Sequence, residues 1–113
     1  MERLESIILR SLLYNEEFAR KTLPFFKDEY FTQFSDRVVF QEISKYFNKY
    51  SNPPTKEAVI IELSERNDLT DETFQSTTEL LKETEEGHEK NEKEDLSWLL
   101  ERSEKFCQDK ALY

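Results

Sequence analysis

The stretch DEYFTQFSDRVVFQEI, residues 28–43, decides how the rest of the chain reads. Tyr30, Phe31 and Phe34 lead to a Ser35-Asp36 pair, and Val38, Val39 and Phe40 follow. Such aromatics can stack on nucleic-acid bases, form a protein interface or fill a core. Base-stacking platforms sit in basic grooves, and here the flanking charges are Asp28 and Glu29. The second half has helical spacing. Val39, Ile43, Tyr46 and Tyr50 fall at i, i+4, i+7 and i+11, with Phe40 and Phe47 beside that line. The spacing predicts a core helix opened by Ser35 as N-cap, with Asp36 in its first turn. Tyr30, Phe31 and Phe34 are then the plug that packs the preceding connector onto it.

Working outward, the punctuation is that of an all-helical chain. One glycine and three prolines in 113 residues leave almost no turn chemistry for hairpins. A first helix is expected from Arg3 to Leu13, with Leu4, Ile7, Ile8 and Leu12 as its stripe, widened by Leu9 and Leu13. Asn15 is placed to cap a second helix, EEFARKTL, which Pro24 ends at Leu23. SNPPT stops the third helix. Thr55 caps a fourth, KEAVIIELSER, with Ala58, Val59, Ile61 and Leu63 on its apolar side. Thr70 caps a fifth, DETFQSTTELLKE. The fold class expected is therefore all-α, a small bundle of about six helices. Its core is expected to include Ile8, Leu12, Tyr30, Phe31, Val39, Ile43, Phe47 and Ile61.

Residues 82–95, KETEEGHEKNEKED, are almost purely charged and read as a linker between a globular bundle (1–81) and a last helix (96–113). In that last helix Leu96, Leu99, Leu100, Ser103, Phe106 and Cys107 share a stripe, whereas Trp98 points to the other side, near Leu112. A helix apolar on two sides wants two neighbours. It also reaches Tyr113 without a stop signal, which reads as a chain cut from a longer polypeptide. Trp98, Phe106, Leu112 and Tyr113 are the candidate interface residues. Trp is enriched in interface hot spots, although Trp98 can equally pack on the domain's own helices.

The charge limits function. Sixteen basic and 25 acidic residues give a net charge of −9, which argues against a stand-alone nucleic-acid binder and against anionic membranes. Nothing in the chain is long enough to span a bilayer, and no signal peptide is visible. A single cysteine, Cys107, permits no internal disulfide and points to a reducing compartment. It reads as a small core side chain. His88, the only histidine, lies in the charged segment and reads as structural or solvated. Neither residue can build a catalytic triad or a zinc site alone, and the carboxylates lack the central glycine of a calcium loop. No phosphate-binding glycine loop is present. No catalytic, cofactor-binding or metal-binding residue is therefore assigned in this chain.

The order of segments adds to this reading. LESIILRSLLYNEEF leads to a DEYF connector, then SDRVVFQEI, a proline turn NPPTKEAVIIEL, a polar break and a long last helix. This order resembles the N-terminal domain of the DnaB-type replicative DNA helicases. The closing DLSWLLERSEKFCQDKALY looks most like the helicases of T-even-type bacteriophages. The resemblance covers essentially the whole chain, and order and spacing carry it rather than any one motif. It departs from bacterial members in helix one, where ILRSLL has no glycine, and in the heavy charge of 82–95.

The resemblance implies a helical bundle followed by a helical hairpin, of which the last helix is the first arm. Such domains form a collar on a hexameric ring, bind neighbouring helicase subunits and receive primase and a helicase loader. DNA would be reached only through the full ring, not by this domain. The ATP- and Mg-dependent motor would lie in a separate C-terminal domain of the parent enzyme, in the cytoplasm of a bacterial host. Two other readings remain open: the helicase-binding domain of a primase, and a free-standing acidic phage protein that binds a host enzyme.

Overall fold

Side-chain caps open three of the helices at the positions the local sequence favours. A computed structural model describes residues 3–90 and 94–111. Among them are six α-helices: α1 (Leu4–Tyr14), α2 (Glu16–Thr22), α3 (Phe34–Tyr50), α4 (Lys56–Ser64), α5 (Asp71–Glu89) and α6 (Leu96–Ala111). Asn15 Oδ1 accepts from the Phe18 amide at 3.1 Å at the start of α2. The hydroxyls of Thr55 and Thr70 accept from the amides of Ala58 and Thr73, each at 3.1 Å, at the starts of α4 and α5. Each bond satisfies one amide that a helix N-terminus leaves unpaired. Pro24 turns α2 into a 3₁₀ turn, Leu23–Phe25, and a second turn, Asp28–Tyr30, completes the connector.

The start of α3 departs from expectation. Gln33, not Ser35, is the N-cap, and its side chain makes no capping bond. Ser35 lies within the first turn. Asp36 is fully buried and takes two hydrogen bonds from Arg3, at 2.8 and 3.1 Å. That pair ties the entrance of α1 to the first turn of α3, and the carboxylate also sits at the positive end of the helix dipole. Phe34 is the second correction. As the first residue of the helix it points outward, 49% exposed, so the plug consists of Tyr30 and Phe31 without it. The connector is fastened to α3 by Arg37 Nε donating to the Phe31 carbonyl at 3.2 Å and Gln41 Nε2 donating to Asp28 at 2.8 Å.

Around Phe31 the aromatics converge. Its ring centroid lies 5.0 Å from Phe40, 5.6 Å from Phe106 and 6.0 Å from Phe26. Helix α1 runs through the middle, packed on α2, α3 and α5, and α4 closes over α3 and α5. Ile8, Leu12, Phe31, Val39 and Ile43 are fully buried, Tyr30 is nearly so, and Phe47 is half-buried against the core. Ile61 is a correction, at 58% exposed. Val59 and Leu63, four apart, take the core face of α4, and Ile61 between them points roughly 200° away from Val59 on a 100° wheel.

Helix α5 is longer than its apolar residues suggest. It continues into the segment expected as a linker, 82–95, and ends at Glu89. Its inward face is Thr77, Leu81, Thr84 and Gly87, all buried. The stripe therefore keeps helical spacing after it stops being hydrophobic. Glu and Lys are good helix formers, so the exposed side costs little. Thr84 closes its hydroxyl on the Leu81 carbonyl at 2.7 Å. His88 stacks on Tyr14 with ring centroids 4.2 Å apart and planes 8° from parallel, so it belongs to the α1–α5 contact.

Gly87 serves close approach. A Cβ there would stand 2.7 Å from Arg10 Nη1 and 3.1 Å from Arg10 Cδ. Arg10 is itself buried, and its Nη2 donates to both oxygens of Glu94, at 3.1 and 3.0 Å. Gly87→Ala is expected to destabilise the fold by about 1–2 kcal/mol in urea unfolding, because overpacking outweighs the ~1 kcal/mol gain in helix propensity. In an Arg10→Met background the same substitution is expected to be neutral or stabilising.

Candidate interaction surface

Helix α6 positions the side chains that remain available to a partner. Leu99, Ser103 and Phe106 form its inner face, all at least nine-tenths buried. Phe106 is thus a correction to the interface assignment. It completes the aromatic cluster from above, 5.6 Å from Phe31 and 6.2 Å from Phe26, and Lys110 covers its outer side with Nζ 5.7 Å from the ring centroid. Trp98 is 40% exposed, about 100° round α6 from Leu99. Leu112 and Tyr113 lie outside the described residues.

A groove opens along the flank of α6. It has a volume of about 540 Å³ and lies between the connector and the helix. Phe25, Phe26 and Tyr30 form one wall, while Leu100, Ser103, Cys107 and Ala111 form the other. Lys21 and Glu104 supply charge at its edges. Pro24 heads the turn that makes this wall. Successive residues of the turn face opposite ways, so that Phe26 enters the core while Phe25 stands 71% exposed. Spacings of three, four and four along Leu100, Ser103, Cys107 and Ala111 form a seam of small and apolar residues suited to a second helix. Ser103 is buried, and its Oγ has no hydrogen-bond partner among the described residues. Buried hydroxyls are normally satisfied, so the groove holds an unused polar group at its floor.

Cys107 lies in this wall. Burial pushes its thiol pKa up to about 11, so at neutral pH the thiolate nucleophile is scarce. Against the same cysteine in urea-unfolded chain, iodoacetamide at pH 8 is expected to label folded Cys107 at least about tenfold more slowly. The loss of thiolate is only partly offset by the greater nucleophilicity of a high-pKa thiol. Among the described residues no group of three or more His, Cys, Asp or Glu is arranged to hold a metal ion. No helix among them is long and apolar enough to cross a membrane.

The groove is not legible in the sequence. Its two walls are some 75 residues apart in the chain, and only the docking of α6 on α2 and the connector brings them together. The one local signal was Pro24, which separates the fates of Phe25 and Phe26.

Comparison with known proteins finds one distant kinship. The chain is 26% identical over 107 residues to the DnaB-like replicative helicase of Enterobacteria phage T4. That match covers 95% of this chain but 21% of the helicase, so the chain spans about a fifth of its relative's length. No family model matches the sequence. No solved structure matches it either. The described residues are all-α, and the chain is distantly similar to a phage replicative helicase.

Proposed function

We propose that these residues form the N-terminal collar domain of a phage replicative DNA helicase. The observation that carries the reading is the match over 95% of this chain to about a fifth of such a helicase. The domain performs no chemistry. It helps hold six subunits in a ring and presents a docking face to primase and loader, while ATP and Mg are handled by the motor elsewhere in the parent chain. The groove fits this role. Its small-residue seam on α6 suits the second arm of a helical hairpin, whose backbone or side chains would satisfy Ser103. Trp98, on the far side of α6, then remains as an anchor for a neighbouring subunit or docked protein.

The test begins with the gene. A glycine-rich phosphate loop is expected downstream in the same reading frame, and a stop codon directly after Tyr113 would overturn the proposal. In the full-length protein, deleting residues 1–111 is expected to reduce hexamers to smaller species in light scattering and to abolish stimulation by primase. ATPase activity of the motor is expected to survive at a reduced level. Hexamers and primase stimulation that persist after the deletion would count decisively against a collar role.

A further inference from the structure

The last turns of α3 depart from the chain's acidic character. No acidic residue occurs between Glu42 and Glu57, whereas Lys45, Lys49 and Lys56 do, in a chain of net charge −9. The stretch KYFNKY, residues 45–50, interleaves two of those lysines with three aromatics. The line Val39, Ile43, Tyr46, Tyr50 begins fully buried and runs out past the bundle, so that Tyr50 is 52% exposed. Tyr46 and Tyr50 lie with ring centroids 4.6 Å apart and planes tilted by 48°. Lys49 Nζ is 5.3 Å from the Tyr50 ring centroid. On the helix wheel Lys45, Lys49, Tyr46 and Tyr50 span about 140°, one continuous face.

The charges around this face are accounted for. Lys49 is within ion-pair distance of no carboxylate among the described residues. Lys45 stands 3.9 Å from Glu42, with its side chain 70% exposed. Glu42 is already held by Arg66 at 3.1 Å. Glu16, near the adjoining turn, is paired with Arg20, whose guanidinium also covers Phe47 at 5.9 Å. Lys56 is bound to Glu85 at 2.8 Å and takes no part.

We propose that the Tyr46–Tyr50 pair, with Tyr46 half-buried and Tyr50 exposed and flanked by Lys45 and Lys49, is a stacking site for single-stranded nucleic acid. A lysine in the last turn of a helix offsets the negative end of its dipole, which accounts for Lys49 alone. It does not account for a half-buried Tyr46 leading to an exposed Tyr50 on the same face. An acidic peptide would use the lysines and leave the rings idle. A duplex keeps its bases stacked inward and would offer only phosphates. An unpaired base can displace the Lys49 ammonium from Tyr50, since an exposed cation–π contact is weak, and the ammonium then meets a phosphate. The net charge of −9 still excludes tight binding by a single copy. The site is a weak contact, independent of the helicase reading, and one that the resemblance to helicase collars does not supply.

Fluorescence anisotropy of a labelled oligo-dT strand, titrated with the 113-residue protein at low salt, tests this. Weak binding is expected, falling with salt at a log–log slope of about −1.4 for two single-strand phosphate contacts. Tyr50→Ala is expected to weaken it about tenfold, Tyr50→Phe to retain it, and Lys45→Glu with Lys49→Glu to abolish it. Lys82→Glu, on exposed α5 surface, is expected to leave it unchanged. All these side chains are at least partly solvent-facing, and circular dichroism is the check that each variant folds. Absence of binding at the lowest salt, or binding indifferent to Tyr50→Ala and the lysine variants, overturns the proposal. So does competition by polyglutamate stronger than by unlabelled oligo-dT, which would make the patch a protein site.

Discussion

Replacing Phe31 with alanine is expected to lower the unfolding free energy by about 3–5 kcal/mol, read as a fall in the urea midpoint at constant slope. Phe31 is fully buried and touches Phe26, Phe40 and Phe106. Those rings come from the connector, α3 and α6, so the cavity left behind has walls on three separate elements and collapses poorly. A small domain has only about 5–15 kcal/mol in total, so the variant is expected to approach the limit of folding. Phe25→Ala is the matched control. The same atoms are removed one connector turn away, from a ring 71% exposed, and the expected change is within about 0.5 kcal/mol. Equal effects at the two positions would show that Phe31 is not the centre of the core.

Arg3→Ala is expected to cost about 2–4 kcal/mol, although the arginine side chain is itself 39% exposed. The loss comes from the other partner. Asp36 has a side chain only 1% exposed, and without Arg3 its carboxylate would stay buried with no cation. The sign of the double variant separates this cause from simple loss of packing. Arg3→Met with Asp36→Leu is expected to recover most of the stability, since a well-packed apolar pair replaces a buried ion pair at little cost. If the double variant is as unstable as Arg3→Ala, the buried charge is not what matters. Raised salt is expected to affect the pair only weakly, because screening acts chiefly on exposed charges.

What could be read from the sequence was what is decided locally. The caps at Asn15, Thr55 and Thr70 depend on a side chain and an amide three residues on, and each was legible as such. The buried line of α1 and the first half of α3 followed from apolar spacing. The errors share a different cause. Ser35 looked like a cap because of its chemistry, but Gln33 holds the capping position and Asp36 is committed to a partner 33 residues away. The second half of α5 looked like solvated chain because its inward residues, Thr84 and Gly87, are not apolar. The role of Gly87 appears only when Arg10 of α1 is laid against it. Ile61 and Phe106 exchanged roles, one expected inside and found exposed, the other offered as interface and found in the core. In both cases a neighbouring helix chose which face to cover. Trp98 is 40% exposed, and the groove was invisible because it belongs to no single segment.

The span of the Arg10–Glu94 contact bears on how the chain is made. The two residues are 84 positions apart, and Arg10 lies on the helix that the rest of the bundle surrounds. At ribosomal speeds of about 5–20 residues per second, Glu94 is added roughly 4 to 17 s after Arg10. During that interval the apolar stripe of α1 has left or is leaving the ribosome without α5 to cover it. Helix formation itself takes microseconds, so α1 can curl at once and then wait. Helices α2 and α3, complete by Tyr50, can cover part of α1 earlier, but the face that α5 covers stays open for a period of seconds. On a polysome, where many copies emerge side by side, that delay favours contact between neighbouring nascent chains before the fold closes.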